Sequence, residues 1–398
     1  MMSIVSKAAL RRAISAIASF AVASIVLPGL YVTTAFAAET DAVHIASTAP
    51  LTGSAAAYGI ETMNGVHLAV EEINSAGGIG GKPIKLSEYD DQCDPTPAAT
   101  AANQIISDKA IVAVVGNVCS SATLAQIPIF RRVGMPVLAA TTSSPALSAK
   151  GYENFARIIP NDDIQGAASI NLGTKVLGNK RIAVLYPSDD YGQALLTIAK
   201  NAAAASGADI VAAETYVTGS TNDFSSVLAN IAAANPDALF LAGYYADMGA
   251  AVSQSVRAFG DKHIALLANA QTEVPEYVSL AGAAAEGTWV TNVYDINNPS
   301  KENKAFVEAY TKKFNAEPGV QAAAGYDNIY VLKHAIEDNK GSTENLMPVI
   351  RATKHEGAMG TIRFDKNGDN VGGALVVLRL TAGKWVFDDE STKKLTAR

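Results

Sequence analysis

An apolar run that ends at a glycine, residues 110–115 followed by Gly116, sets the main constraint on the fold of this chain. Six consecutive apolar residues, mostly β-branched, are typical of a strand buried in a parallel sheet. The polar stretch after the glycine contains Ser120 and Ser121, and either hydroxyl can cap a helix that starts near Ala122. A helix N-terminus at the carboxyl end of a strand offers free N–H groups to an anion, but on these residues alone an ordinary strand–loop–helix joint is the simpler interpretation.

Strand-like and helix-like segments alternate along the chain with turn residues between them. The first series has strands at 44–46, 83–86, 110–115 and 136–140 and helices near 59–76, 98–107 and 122–132. The second series, after Ile159-Pro160, has strands at 181–186, 210–212, 238–241 and 264–268 and helices near 164–177, 193–206, 224–234 and 247–259. Two successive α/β series predict two doubly wound parallel-sheet lobes whose carboxyl-end loops face one cleft. With 398 residues and 49% hydrophobic residues, the chain can bury two such cores.

The first 37 residues have the pattern of a targeting segment. The charged residues of this segment are Lys7, Arg11 and Arg12. An uncharged, mostly apolar stretch follows over 13–32, and Ala35-Phe36-Ala37 is a small-x-small cleavage pattern. A membrane anchor is the alternative, but Pro28-Gly29 interrupts the apolar stretch and favours cleavage. We therefore expect a secretory signal peptide cleaved near Ala37, export to the periplasm, and a fold that begins after it.

Two cysteines, Cys93 and Cys119, are the only ones in the chain. An exported protein with a single pair favours one disulfide, which would stabilise the fold by roughly 3–4 kcal/mol through loop closure. Two free buried thiols or a metal pair are the alternatives. Neither a Cys-x-x-Cys motif nor a nearby histidine supports a metal at this pair.

An ordered set of short motifs makes the chain similar to the leucine/isoleucine/valine-binding proteins of bacterial ABC importers, which have the type I periplasmic binding protein fold. The motifs are Tyr58-Gly59, Gly77-Gly78-Ile79, Asp90-Asp91-x-Cys93-Asp94-Pro95, Cys119-Ser120-Ser121, Pro145-x-Leu147, Gln165-Gly166, Tyr191-Gly192, Asp223-Phe224-Ser225, Gly243-Tyr244, Met248-Gly249, Ala285-Glu286-Gly287 and Met359-Gly360. Each motif is weak alone, whereas their order along 40–398 is specific.

The resemblance implies two lobes joined by a three-segment hinge. Lobe one would comprise 40–161 plus 294–375, and lobe two 162–293 plus 376–398. It also implies a monomer that captures a small carboxylate or an amino acid, in particular a branched-chain amino acid, and delivers it to a membrane permease with its ATPase. A chemosensory receptor that binds the same ligand is the alternative role.

The resemblance also implies which side chains contact the ligand. Ser120 matches the residue that holds the ligand carboxylate, and Thr141 and Ser143 match further carboxylate and ammonium contacts. The aromatic groups that close over the ligand would be Tyr58, Tyr191 and Tyr244. A tyrosine in a loop is also often a half-buried packing residue, so that alternative stays open for each of the three. Asp162, at the first crossing between the lobes, either binds an amine or orients the hinge.

One position departs from the family. Amino-acid binders carry a glutamate for the ligand ammonium after the strand at 264–268, and the matching position here is Ala270. A buried ammonium without a counter-charge is costly. Either Asp162 or Glu273 supplies the charge and the ligand is an amino acid, or the ligand is an aromatic or aliphatic acid or an amide that lacks the α-ammonium.

Other chemistries lack support in the sequence. The net charge of −7 does not suggest a nucleic-acid partner, and the five histidines show no metal spacing. The Gly-x-Ser-x-Gly motif of a hydrolase nucleophile is missing, so a binding protein is favoured over an exported enzyme. The stretch 365–369 resembles the start of a calcium loop, but its twelfth position is Val376 and a hairpin turn is expected instead. We expect neither a cofactor nor a metal.

Overall fold

Two main sheets organise residues 42–397, the part of the chain that the computed structural model describes. The predicted signal peptide, 1–37, lies outside the described residues. The strands are β1 (Val43–Ala49), β2 (Ile84–Asp90), β3 (Ile111–Gly116), β4 (Val137–Ala139), β5 (Phe155–Arg157), β6 (Arg181–Pro187), β7 (Asp209–Tyr216), β8 (Ala238–Leu241), β9 (Ala265–Asn269), β10 (Trp289–Asn292), β11 (His355–Gly357), β12 (Gly360–Ile362), β13 (Val376–Thr381) and β14 (Lys384–Phe387).

Helices connect most of these strands. They are α1 (Ala56–Ser75), α2 (Pro95–Ser107), α3 (Ser120–Arg131), α4 (Ala146–Ala149), α5 (Asp162–Asn171), α6 (Asp190–Ala205), α7 (Ser225–Ala233), α8 (Tyr245–Phe259), α9 (Pro275–Ala281), α10 (Lys301–Phe314), α11 (Val320–Asp338), α12 (Leu346–Ala352) and α13 (Asp389–Thr396). A candidate membrane-spanning helix is not found within residues 42–397.

Each main sheet is the centre of one lobe, as predicted. The first lobe has five parallel strands in the order β2-β1-β3-β4-β5. The second has seven strands in the order β14-β13-β10-β9-β8-β6-β7, of which β6 to β10 are parallel. The antiparallel strands β13 and β14 were not predicted. Ala382 and Gly383 join them with positive φ angles of 50° and 73°, as a two-residue type I′ hairpin turn requires.

The chain passes between the two sheets three times, after β5, after β10 and before β13. Between the second and third passages it forms α10 to α12, and α11 packs along α1 of the first lobe. Glycines permit this close approach. A Cβ atom at Gly65 would lie 2.0 Å from the Ala322 carbonyl oxygen, and one at Gly325 would lie 2.3 Å from that of Thr62.

Several boundaries differ from the predicted ones. The helix predicted near 164–177 starts at Asp162 and ends in a π-helical turn, Leu172–Val176. Strand β7 is longer than the predicted 210–212, because an edge strand is half exposed and its apolar run is correspondingly short. The hairpin turn predicted at 365–369 is confirmed by the antiparallel bridge between Phe364 and Asn370.

Candidate functional site

The joint between β3 and α3 is shaped by Gly116 and Asn117, whose backbones are left-handed; φ of Asn117 is +48°. Gly116 has a φ of +86°, and a Cβ atom there would lie 2.5 Å from the Thr48 carbonyl oxygen, so the turn requires glycine. The buried Asn117 amide donates to the Thr48 hydroxyl at 2.8 Å and to Gln126 Oε1 at 2.7 Å. These contacts fix where the N-terminus of α3 lies relative to the sheet.

The predicted disulfide between Cys93 and Cys119 is present, with the two Cα atoms 5.3 Å apart. Cys119 is the residue that precedes the first turn of α3, and it has a β-region backbone. The bond therefore ties the start of this helix to the loop after β2. No free cysteine remains among the described residues.

The predicted capping role of Ser120 or Ser121 is wrong. Cys119 occupies the cap position without a side-chain hydrogen bond, and Ser120 is already the first helical residue. Ser120 Oγ instead accepts a hydrogen bond from the Ser144 N–H at 3.1 Å and one from the Thr142 hydroxyl at 3.2 Å. Ser120 is buried, so the start of α3, with its free N–H groups and the positive end of its dipole, lies away from bulk solvent.

The loop after β4 carries the next two predicted residues, Thr141 and Ser143. The Thr141 hydroxyl donates to Gln321 Oε1 at 2.5 Å, and the Ser143 carbonyl accepts the Asp162 N–H at 2.9 Å. This loop is held from behind by Arg157. The guanidinium of Arg157 donates to the carbonyls of Thr142 and Ser144 at 3.2 and 3.0 Å.

Arg157 is fully buried and neutralised by one carboxylate. Its Nε donates to Asp369 Oδ1 at 2.6 Å, and its remaining nitrogen donates to the Ser148 hydroxyl at 2.9 Å. Asp369 Oδ2 accepts from the Asn161 amide at 2.9 Å. One ion pair thus connects the loop of Thr141 and Ser143 to two of the three passages between the lobes.

Asp162 opens α5 at the first passage and is 2% exposed. Its Oδ2 atom has no hydrogen-bond partner among the described residues. Burial raises the pKa of Asp162 to about 6, against the stabilising effects of the Ser143 hydroxyl and the Arg157 charge. Asp162 is therefore a buried carboxylate with one oxygen free, next to the loop of Thr141 and Ser143.

The three predicted tyrosines come together at the interface between the lobes. Tyr244 stacks on Tyr191 with ring centroids 5.1 Å apart, and its centroid is 6.2 Å from that of Tyr58. The Tyr58 hydroxyl donates to the Gln271 carbonyl and accepts the Tyr245 N–H at 2.8 Å. Tyr58 belongs to the first lobe and its partners to the second, so this hydroxyl joins the two lobes directly.

Glu273 has different hydrogen-bond partners from Asp162. It follows the 3-10 turn that contains the buried Ala270, and its carboxylate accepts from the Asn292 amide. Burial, and then the neighbouring Glu61 carboxylate, raise its pKa well above the ordinary range. The described contacts therefore connect Asp162, and not Glu273, to the loop of Thr141 and Ser143.

Three residues near the site were missed by sequence reasoning. Gln321, near the start of α11, accepts from Thr141 and donates to Gln271 Oε1 at 3.3 Å, so two amides bridge the lobes. Tyr245 meets Tyr58 edge to face, with centroids 4.9 Å apart. Gln271 directly follows Ala270, so the departure at Ala270 was the available signal. Gln321 had none, because it comes from a segment about 180 residues away from Thr141.

Across residues 42–397, no three histidine, cysteine, aspartate or glutamate side chains are grouped so that they could hold a metal ion. The site consists instead of a helix N-terminus, a buried carboxylate, two bridging amides and four tyrosines. Such a set can hold a small polar molecule by hydrogen bonds, charge and aromatic contact.

These features define a two-lobed α/β protein whose lobes face each other with polar and aromatic loop residues. The chain belongs to the periplasmic binding protein family, whose model matches residues 42–384. The resemblance inferred from the short motifs is thereby confirmed.

Individual relatives cover most of the chain. Over 330 residues it is 29% identical to a leucine-, isoleucine-, valine-, threonine- and alanine-binding protein of Pseudomonas aeruginosa, covering 83% of this chain and 87% of that protein. Over 366 residues it is 30% identical to the leucine-specific-binding protein of Salmonella typhimurium, covering 89% and 94%. The solved structure of the leucine-binding protein LivK of Thermotoga maritima matches with a TM-score of 0.81 and 30% identity, covering 87% of this chain and 97% of that one.

Proposed function

We propose that this chain is the solute-binding component of an ABC importer, and that it captures a branched-chain or related amino acid. The amino acids in the names of its relatives support the ligand class. The observation that carries the proposal is the free, buried Oδ2 atom of Asp162 close to the loop that contacts Ser120. A carboxylate beside an anion-binding helix start suits a ligand that has both an ammonium and a carboxylate group.

In this proposal, Ser120 and the first turn of α3 hold the ligand carboxylate, with Thr141 and Ser143 beside them. Asp162 takes the ammonium. Glu273 is the second candidate for the ammonium, but it would have to exchange its hydrogen bond from Asn292 for one from the ligand.

The tyrosine cluster of Tyr58, Tyr191 and Tyr244 would cover the ligand side chain. Their rings are buried at the interface between the lobes, which supports a role in closing over a small molecule. The packing alternative predicts that truncating a ring lowers stability without changing affinity, whereas ligand contact predicts that affinity falls.

The alternative ligand is an aromatic or aliphatic acid or an amide without an α-ammonium. The buried Ala270 favours it, because this position supplies no carboxylate. Isothermal calorimetry with leucine, 4-methylpentanoate and benzoate distinguishes the two. We expect leucine to bind more tightly than 4-methylpentanoate, and an acid that binds as tightly as every amino acid tried would overturn the amino-acid proposal.

Delivery of the ligand would follow the family's plan, with lobe one (40–161 plus 294–375) and lobe two (162–293 plus 376–398) turning about the three passages. A monomer would dock on a permease and ATPase complex. A chemosensory receptor is the alternative, and adjacent permease and ATPase genes would favour transport. Small-angle scattering with and without the cognate ligand tests the hinge: the radius of gyration should fall on binding, and an unchanged value at saturation would contradict closure.

We also propose that the chain is exported, cleaved near Ala37, and acts in the periplasm without catalysing a reaction. The Cys93–Cys119 disulfide supports an oxidising compartment. The N-terminal sequence of the protein recovered from the periplasm should begin close to residue 38, and an intact N-terminus in that fraction would contradict cleavage.

A further inference from the structure

Three side chains of the second lobe form what we call the acidic corner: Asp189, Tyr216 and Asp247. Asp189 follows β6, Tyr216 ends β7, and Asp247 lies in the first turn of α8, after β8. These strands are parallel neighbours in the order β8-β6-β7, so their carboxyl ends bring the three residues to one edge of the sheet.

Two polar atoms of the acidic corner are buried without a hydrogen-bond partner. Asp247 is 4% exposed and Tyr216 is 3% exposed. Oδ1 of Asp247 accepts the Gly219 N–H at 3.0 Å, whereas its Oδ2 has no partner, and neither has the Tyr216 hydroxyl, although the Tyr244 N–H lies near it. Leaving such atoms unpaired costs free energy, so a site that retains them is suited to a group that pairs with both.

The acidic corner also lacks a compensating positive charge. Within residues 42–397 neither Asp189 nor Asp247 has a positively charged side chain acting on its pKa: the Asp189 charge acts on Asp247, and the Asp190 charge acts on Asp189. Burial, and then the Asp189 carboxylate, raise the pKa of Asp247 to about 6. Asp189 caps α6 by accepting the Gly192 N–H at 2.9 Å, so its charge adds to the negative field around the unpaired Asp247 oxygen, and this field favours a cation from outside the chain.

The acidic corner is continuous with the proposed ligand site and is bordered by residues of the first lobe. The Tyr216 hydroxyl lies against Gly243, where a Cβ atom would be 2.1 Å from it, and the next residue is Tyr244 of the tyrosine cluster. From the first lobe, Ser54 Oγ lies 2.6 Å from the position of a Cβ at Gly219. Ser121, next to Ser120, lies near Asp189 and favours the ionised form of that carboxylate, which lowers the Asp189 pKa. The Ser121 hydroxyl is outside hydrogen-bonding geometry.

We propose that the acidic corner is a second subsite of the cleft, which binds an ammonium or guanidinium group at the far end of the ligand side chain. The ligand is then an amino acid with a basic side chain. This inference rests on the proposed amino-acid function and, within it, selects a related amino acid with a basic side chain over a branched-chain one. Asp247 Oδ2 and the Tyr216 hydroxyl accept the ligand's N–H groups, the Asp189 carboxylate adds charge, and the tyrosine rings pack along the aliphatic part of the side chain.

Calorimetry with matched ligands separates the two proposals. The first pair is norleucine and whichever of ornithine, lysine and arginine binds most tightly; its members differ in the cation at the end of the side chain. The second pair is hexanoate and 6-aminohexanoate; its members differ in the same way, but both lack the α-ammonium. We expect each basic member to bind about 10- to 100-fold more tightly than its partner. Equal affinity within both pairs would overturn the proposal that the acidic corner binds a cation and leave the amino-acid proposal intact. Tighter binding of 6-aminohexanoate than of every amino acid would overturn the amino-acid proposal and leave the cation subsite intact. If none of these ligands binds, both proposals are wrong.

Variants test the subsite directly. Tyr216→Phe and Asp247→Asn should each lower lysine affinity about tenfold or more and leave norleucine affinity unchanged, because only the distal contact is removed. Asp223→Asn is the matched control, since Asp223 caps a backbone N–H at the exposed start of α7 and should change neither affinity. Thermal unfolding verifies that the variants fold. Glutamine binding as tightly as lysine, or equal losses for lysine and norleucine, would overturn the assignment of a cation subsite.

Discussion

Replacing Arg157 with methionine should be among the most damaging single changes in the first lobe. Its guanidinium is fully buried and donates to four acceptors: the Asp369 carboxylate, the carbonyls of Thr142 and Ser144, and the Ser148 hydroxyl. Methionine fills much of the space but donates nothing. Asp369 would keep only the hydrogen bond from Asn161 and those of its own turn.

The size of the loss follows from these contacts. Removing one member of a buried ion pair costs about 3–5 kcal/mol, because the other charge stays buried without its partner. The orphaned carbonyls of Thr142 and Ser144 belong to the same network, so their cost is included in that range and not added to it. We expect Arg157→Met to lower the free energy of unfolding by about 3–5 kcal/mol, measured by urea denaturation at pH 7 with an unchanged slope.

The matched control is Arg131→Met. Arg131 pairs with Glu153 at 2.8 Å, a distance similar to that of the buried pair, but its side chain is 53% exposed and that of Glu153 is 64% exposed. Water replaces such a partner, so little stability should be lost. Equal losses for Arg157→Met and Arg131→Met would refute the reasoning that burial makes the first pair important.

Three further perturbations have defined outcomes. Ser120→Ala should weaken carboxylate binding by roughly 1.5–3 kcal/mol, and unchanged affinity in calorimetry would put the carboxylate elsewhere. Asp162→Asn should raise the free energy of unfolding above pH 6 and leave it unchanged below about pH 4. The folded-state pKa of Asp162 is raised from 3.8 to about 6, so ionising this carboxylate destabilises the wild-type fold as the pH rises through that interval. Denaturation curves that shift equally at all pH values would contradict this. Reducing the Cys93–Cys119 bond should cost roughly 3–4 kcal/mol, and a thiol assay of the denatured, unreduced protein should find no free thiol; two free thiols would reject the bridge.

Much of the fold could be predicted because its strands are buried and apolar. The runs at β3, β6 and β8 are short, β-branched or aliphatic, and bounded by turn residues, and each is a strand in the structure. The antiparallel hairpin of β13 and β14 could not be predicted from periodicity, because pairing between β13 and β10 joins segments about 85 residues apart.

The local chemistry of the site was harder to predict. The hydroxyl of Ser120 had the right position and chemistry to cap α3, yet it bonds to Ser144, which a different loop brings close. Asp162 and the tyrosines were proposed from the family resemblance, whereas the amide bridge between Gln271 and Gln321 depends on tertiary contacts alone. Tertiary hydrogen bonds of this kind leave no local pattern in the sequence.

The Tyr58 hydroxyl has a consequence for how strongly the protein responds to low ligand concentrations. Its two hydrogen bonds exist only while the lobes are together, and at about 1 kcal/mol each they shift the ratio of closed to open molecules by roughly 30-fold. Because the apparent dissociation constant scales inversely with the fraction of molecules competent to bind, this one hydroxyl contributes to the ligand concentration at which the protein responds. A change that removes only this hydroxyl, such as Tyr58→Phe, would shift that range and keep the aromatic ring of the tyrosine cluster.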